Sequence, residues 1–153
     1  MSRIADRLAE LGLTLPAVAA PVAAYVPAVV QGNLVYTSGQ LPFVDGTLLA
    51  TGKVGATVSA EDAQSYAATC VLNALAAADS VIGSLDRVTQ VVKVTGFVAS
   101  DPSFFGQPGV INGASNLLGQ IFGDSGIHAR SAVGVAVLPL DAPVEVEIVL
   151  AFA

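Results

Sequence analysis

Only six of the 153 residues are Lys or Arg, and one of them opens an apolar, strand-like run: Ala129-Arg130-Ser131-Ala132-Val133-Gly134-Val135. Fifteen residues after Arg130 comes Glu145-Val146-Glu147. A guanidinium presents a planar fork of donors that matches a carboxylate or a phosphate. Glu145 and Glu147 are two apart, so on a strand they face the same side. Like charges that close raise at least one pKa where solvation is poor, which suits a carboxyl group to proton transfer near neutral pH. On spacing alone, the plainer readings are an ordinary ion pair at a sheet edge for Arg130 and two solvated carboxylates for the glutamates.

Composition narrows the chemistry. The net charge is −6, and Arg3, Arg7, Lys53, Arg87, Lys93 and Arg130 are scattered along the chain. Nucleic-acid binders draw most of their affinity from a basic stripe, so general RNA binding is disfavoured, whereas one arginine suffices for a small anion. Apolar residues make up 54% and charged ones 12%, which argues for a folded chain whose leftover apolar surface points to an oligomer. One Cys and one His cannot build an ordinary structural zinc site, and Cys70 falls in the apolar stripe of a helix, as a core thiol would. The most apolar stretch, 15–30, carries Pro16, Pro21 and Pro27, which argues against a membrane helix. No charged segment followed by an apolar core and cleavage site is apparent; the expectation is a cytoplasmic protein with no membrane partner.

The elements that must position these residues follow from periodicity and turn signals. Residues 2–12 read as an amphipathic helix with Ile4, Leu8 and Leu11 on one face and Gly12 closing it, and 13–24 as a proline-broken, extended segment. Residues 25–30 and 33–38 read as strands with a Gln31-Gly32 turn, and Asp45-Gly46 as another tight turn. Ser59 and Asp62 stand in a capping-box relation at the start of a long helix with apolar positions 63, 66, 67, 70, 71, 74, 75 and 78. Residues 88–99 are rich in β-branched side chains and read as a long strand. A helix over about 109–122 follows, with Ile111, Ala114, Leu118 and Ile121 on one side. The last strands, 130–138 and 144–152, read as a hairpin joined through Pro139–Pro143. In that register Arg130 lies seven residues from the level of Glu145, roughly 23 Å, so the two could share a small ligand only across a subunit boundary. The order ββαβαββ predicts one α+β domain over 1–153, a single sheet with two helices on one face.

Four motifs in order add a resemblance that covers about residues 25–151. Asn33-Leu34-Val35-Tyr36-Thr37-Ser38-Gly39-Gln40-Leu41-Pro42, Val92-Lys93-Val94-Thr95-Gly96-Phe97-Val98, Val110-Ile111-Asn112-Gly113 and the run Ala129–Val135 with Pro143-Val144-Glu145-Val146-Glu147 resemble the signatures of the YjgF family, also called the Rid (reactive intermediate/imine deaminase) family. The N-terminal extension and the segment Gly109–Ser115 are more similar to its longer, endoribonuclease-like (L-PSP) subgroup. The resemblance implies a mixed sheet in a chorismate-mutase-like fold and a homotrimer with clefts between subunits, working without cofactor or metal. It matches Arg130 to a substrate-carboxylate clamp, Glu145 to a residue that places water, Tyr25, Ser38, Gly39 and Asn112 to substrate-binding positions, and Glu147 to a structural one. Ala132 stands where many members have Cys, leaving only its backbone carbonyl to hold a water. Ala23-Ala24 replaces the usual Gly-Pro before the tyrosine. Read without the resemblance, Tyr25 is a strand aromatic, Ser38 a turn residue and Asn112 a surface amide; His128 reads as a structural or exposed loop histidine rather than a base. The function implied is hydrolytic deamination of 2-imino or 2-enamino acids such as 2-aminoacrylate to 2-keto acids and ammonia. The rivals are a non-catalytic binder of small carboxylates such as 2-keto acids, favoured by Ala132 and Ala23-Ala24, and an endoribonuclease, against which the acidic balance counts most.

Overall fold

The computed structural model describes residues 2–21 and 23–153. Its elements are α1 (Arg3–Glu10), β1 (Ala28–Gln31), β2 (Leu34–Thr37), β3 (Phe43–Val44), β4 (Thr47–Leu48), α2 (Ala60–Ile82), β5 (Val88–Ala99), α3 (Gln107–Phe122), β6 (Ala129–Val135) and β7 (Val144–Phe152), with short 3-10 turns between some of them. Five strands form one mixed sheet in the order β1-β2-β7-β5-β6, and β3 and β4 pair separately. Only β5 and β6 are parallel; the other pairs are antiparallel. The α+β reading, one mixed sheet with α2 and α3 on one face, agrees with this architecture.

Local signals account for most elements. The Ser59 side chain accepts from the Asp62 backbone N–H, and α2 ends at Gly83 in the left-handed region (φ 85°). The stripe Ala63, Ala67, Cys70, Val71, Ala74, Leu75 and Ala78 is buried; by length and composition α2 could cross a membrane, but this stripe packs into the core under the sheet. Ile111, Ala114, Leu118 and Ile121 of α3 are buried as the spacing requires. Asp45 (φ 51°) and Gly46 (φ 77°) make the two-residue turn between β3 and β4. The first hairpin turns one residue later than expected, at Gly32-Asn33, with Gln31 paired to Leu34. Tyr25 lies outside the strand it was assigned to: β1 begins after Pro27, which lacks the N–H a strand would use.

The final hairpin is not formed. β6 does not pair with β7; β5 lies between them, parallel to β6 and antiparallel to β7. The chain leaves β5 through α3, a crossover that returns it parallel to the strand it left. The residues after β6 then turn through Leu140 and Asp141, both at positive φ, and pass the end of β5, where the Ala99 N–H donates to the Pro143 carbonyl and the Ser100 N–H to the Val135 carbonyl. β6 also ends at Val135, short of the expected Leu138.

The core lies between the helices and one sheet face. Val144, Val146, Ile148 and Leu150 of β7 are buried, with Val91, Val94 and Val98 of β5. The alternate residues Glu145, Glu147 and Val149 face the opposite side, where Val29 and Tyr36 remain 53% and 46% exposed. The N-terminal helix is tied back by Asp86: its carboxylate accepts from Ser2 Oγ (3.1 Å), the Arg3 N–H (3.0 Å) and the Ile4 N–H (2.8 Å). Those donors, the Ile4 N–H first, hold the Asp86 carboxyl below its usual range.

The contact between α2 and α3 is backbone-tight at Gly113, where a Cβ would collide with the Gln64 carbonyl. A main-chain atom inside a helix cannot step aside, so Gly113→Ala is expected to destabilise the chain by about 1–3 kcal/mol, the cost of overpacking. Urea denaturation checks this: the midpoint falls with an unchanged slope.

Candidate functional site

The candidate residues gather into two groups on opposite faces of the sheet. The first is built around Glu145. Gln40 bridges Val146 through two backbone hydrogen bonds, Gln40 N–H to Val146 O (2.9 Å) and Val146 N–H to Gln40 O (3.0 Å), which lays Gly39 directly against the Glu145 side chain. A Cβ on residue 39 would sit 2.7 Å from the carboxyl carbon of Glu145, so glycine is required there by the glutamate. Tyr25, Pro27, Gly39, Gln40, Leu41, Phe43, Pro139 and Glu145 line a pocket of about 60 Å³, and Ala19, Ala20 and Pro21 of the N-terminal segment form its far wall. Ser38 serves this pocket from outside: its hydroxyl donates to the Val26 carbonyl (2.6 Å) and its N–H to the Pro27 carbonyl (2.8 Å), fixing the bend that carries Tyr25.

Burial, then the neighbouring Glu147, raises the Glu145 pKa above the ordinary glutamate range. Glu145 therefore keeps its proton to a higher pH than an ordinary glutamate, the direction that suits a group exchanging protons with a substrate. Cys70, behind it in the core, is a buried thiol raised well above its usual pKa, first by desolvation; its Sγ lies 3.7 Å from the Val144 carbonyl.

The second group sits at the β6 edge. Arg130 pairs with Val94 in the parallel register and points to the helix side, where Nη1 donates to Asn112 Oδ1 (2.8 Å) and Ser115 Oγ (3.2 Å) of α3. Among the described residues the one ion pair is Arg7–Glu10, so the guanidinium of Arg130 has no carboxylate there and the sheet-edge ion pair is not formed. Ala132, beside Gly96, packs against the core. Gly96 is itself a close-approach glycine, since a Cβ there would strike Ile111 of α3; that approach sets how near Asn112 and Ser115 come to Arg130.

β5 fixes the spacing of the two groups. Phe97 pairs with Glu145, and Val94 with both Arg130 and Ile148. Arg130 and Glu145 are therefore three residues apart along the strands, about 10 Å, and two strands apart, about 10 Å more, on opposite faces. The expected separation by a long hairpin was wrong in its cause. The separation itself remains, so within one chain a small ligand cannot touch both side chains.

Some positioning residues stand outside the sequence motifs. Asn73, buried in the apolar α2, donates from Nδ2 to the Leu41 (3.1 Å) and Phe43 (3.0 Å) carbonyls and so anchors the strand segment after Gly39. An Asn inside an otherwise apolar helical stripe was the available clue, because a buried amide needs partners. Ser115 likewise lies outside the matched motifs, although it stands one helical turn after Asn112. Among the described residues no three His, Cys, Asp or Glu side chains converge as a metal site would need.

Residues 5–152 match the "YjgF/chorismate mutase-like, putative endoribonuclease" family, and the chain belongs to that family. It is 46% identical to Protein TCP17 of Trypanosoma cruzi over 146 residues, 95% of this chain and 91% of that one. The crystal structure of protein Atu1372 from Agrobacterium tumefaciens superposes with a TM-score of 0.92 at 45% identity, covering 99% of this chain and 93% of that one. TdcF of E. coli, solved with bound serine, superposes with a TM-score of 0.66 at 25% identity over 92% of this chain and 96% of that one.

Because the folded chain holds the Glu145 pKa above its ordinary value, the protonated form is the better bound one. Its favourable contribution is present below the ordinary glutamate pKa and is lost as pH rises through the raised, folded-state value. Glu145→Gln keeps the shape and removes the charge. The variant is expected to melt above the wild type at pH 7, with the difference closing as pH falls below about 4; calorimetric melting across that range checks it.

Proposed function

We propose that the protein is a reactive-imine deaminase that hydrolyses 2-imino acids, or their 2-enamino tautomers such as 2-aminoacrylate, to 2-keto acids and ammonia. The observation that carries this reading is the guanidinium of Arg130: held by Asn112 and Ser115, without a carboxylate partner among the described residues, and so open to a ligand's carboxylate. The serine bound to TdcF, a small molecule with a carboxylate and a nitrogen on the adjacent carbon, supports that class of ligand.

In this reading three copies of the chain associate through the face bearing Glu145, Val149, Tyr36 and Val29, which the chain's own helices leave uncovered. The Arg130 edge of one subunit then meets the pocket of Tyr25, Gly39 and Glu145 on the next, which places both halves around one ligand. Arg130 binds the substrate carboxylate through paired N–H donors. Water held by Glu145 adds to the imine carbon; Glu145 takes one water proton and passes it to the imine nitrogen, giving the carbinolamine. As that collapses, Glu145 takes the proton of the new hydroxyl, the carbonyl forms as the C–N bond breaks, and the proton passes to the nitrogen, which leaves as ammonia. Imines hydrolyse unaided, so positioning and proton transfer at a carboxyl of raised pKa are the tasks left to the protein. The dispersed cations of a chain with net charge −6 provide no phosphate-tracking stripe, which favours this reading over RNA cleavage.

Two variants test the assignment in an assay that generates 2-aminoacrylate in place and follows the keto acid formed. Arg130→Ala is expected to lower kcat/KM at least about 100-fold, the loss of two charge-assisted hydrogen bonds, with its mass in solution unchanged. Glu145→Gln is expected to lower kcat by about 100-fold while still binding 2-keto acids. Full activity in Arg130→Ala overturns the mechanism, and wild-type protein that binds keto acids but turns over no imine favours a non-catalytic carboxylate binder. A monomer by light scattering removes the shared site.

A further inference from the structure

The lone histidine belongs to a hydrogen-bonded chain that ends on Arg130. His128 Nδ1 lies 2.6 Å from the Gly126 carbonyl and Nε2 lies 2.9 Å from Ser115 Oγ. A carbonyl oxygen only accepts, so Nδ1 carries the proton. In the neutral ring Nε2 is then an acceptor, and the Ser115 hydroxyl donates to it. That donation turns the lone pairs of Ser115 Oγ outward, and one of them accepts from Arg130 Nη1 at 3.2 Å. The second hydrogen of Nη1 goes to Asn112 Oδ1 at 2.8 Å. Both hydrogens of Nη1 are thereby used.

The consequence concerns which edge of the guanidinium remains. Arginine has five N–H donors in a rigid fork. With Nη1 tied, Nε and Nη2 are left, and among the described residues neither has a hydrogen-bond partner. These two nitrogens form one side of the fork, with two parallel N–H bonds at the spacing of a carboxylate. Without Ser115, Nη1 would keep Asn112 alone as a partner, and the plane of the guanidinium could rotate about that single bond.

We infer that Ser115 and His128 are positioning residues that lock Arg130 by its Nη1 corner and present the Nε–Nη2 edge to a ligand carboxylate. The inference rests on Arg130 being the carboxylate clamp, and it assigns His128 a role other than that of a base or an idle loop residue. Gly126, whose Cα leaves no room for a side chain beside the Leu118 carbonyl, supplies the fixed end of the chain. Because the order Gly126, His128, Arg130 is local, the loop entering β6 and the strand's first residues are built as one device.

The test uses 2-oxobutanoate as the carboxylate probe, titrated by calorimetry, together with nitrogen-15 spectra of the side chains. His128 is expected to show the Nδ1-protonated tautomer. Ser115→Ala and His128→Ala are each expected to weaken 2-oxobutanoate binding roughly fivefold, the size of one net hydrogen bond, and to shift and broaden the Arg130 Nε–H signal, which the Arg130→Ala variant identifies. Ser115→Thr, which keeps the hydroxyl, is expected to restore affinity to within about twofold and the signal with it. An unchanged affinity and an unchanged Arg130 signal in Ser115→Ala overturn the inference, as does a histidine protonated only at Nε2. Loss of binding in Arg130→Ala with none in Ser115→Ala overturns the positioning role alone, whereas wild-type affinity in Arg130→Ala overturns the clamp and the inference together. Affinities that follow the expected pattern in a protein that hydrolyses no imine support the inference and remove only the deaminase reading.

Discussion

Strand β5 has two hydrogen-bonding edges, and the fate of every candidate residue depends on which strand takes each. β7 takes one edge antiparallel and β6 the other in parallel. With β5 between them, Arg130 and Glu145 can neither pair nor converge, although only fifteen residues separate them in sequence. The same arrangement leaves β6 at the margin of the sheet, where a strand edge is open to another chain. It also turns Arg130 toward α3 while Glu145 looks out from the uncovered face. The two groups of candidate residues are kept apart by the strand that holds the sheet together.

Each group is held in place separately, and by different physics. Around Glu145 the work is done by close approach: Gly39 has no side chain because the carboxylate occupies its place, and Asn73 and Ser38 fix the segments on either side through hydrogen bonds to carbonyls. The result is a partly desolvated carboxyl with a like charge two residues away, two effects that both raise its pKa. Around Arg130 the work is done by directed hydrogen bonds from α3 and the loop before β6. A guanidinium keeps its charge in either case, so what its surroundings set is orientation, not protonation. Small residues at Gly96 and Gly113 let α3 come near enough to β5 and α2 for those bonds to form.

Motif and periodicity reached a long way in this chain. The Ser59 cap, the buried stripe of α2, the limits of β5 and β7 and the buried face of α3 are local patterns, and local patterns survive folding. The alternation of β7 by itself puts Glu145 and Glu147 on one side. The ordered motifs led to the family that residues 5–152 match. Reading failed where pairing is decided at a distance. The five-residue connection Pro139–Pro143, with a proline at each end, looks like a hairpin loop, yet nothing in it says that the neighbouring edge is already occupied. The turn signal at Gln31-Gly32 extends the first strand back to Tyr25; Pro27, two residues later, decides otherwise, and β1 begins at Ala28.

The sequence by itself determined the types of element, the faces of the helices and strands, the buried thiol at Cys70 and the scarcity of cations that singles out Arg130, because each depends on residue type and short-range period. The tertiary structure alone decided that β5 separates β6 from β7, that Glu145 rather than Glu147 is the desolvated carboxyl lying against Gly39, and that Ser115 and His128 close on Arg130. Each of those outcomes depends on which distant segments share an edge or a close contact. A residue's own neighbours in the chain exert no force that selects among them.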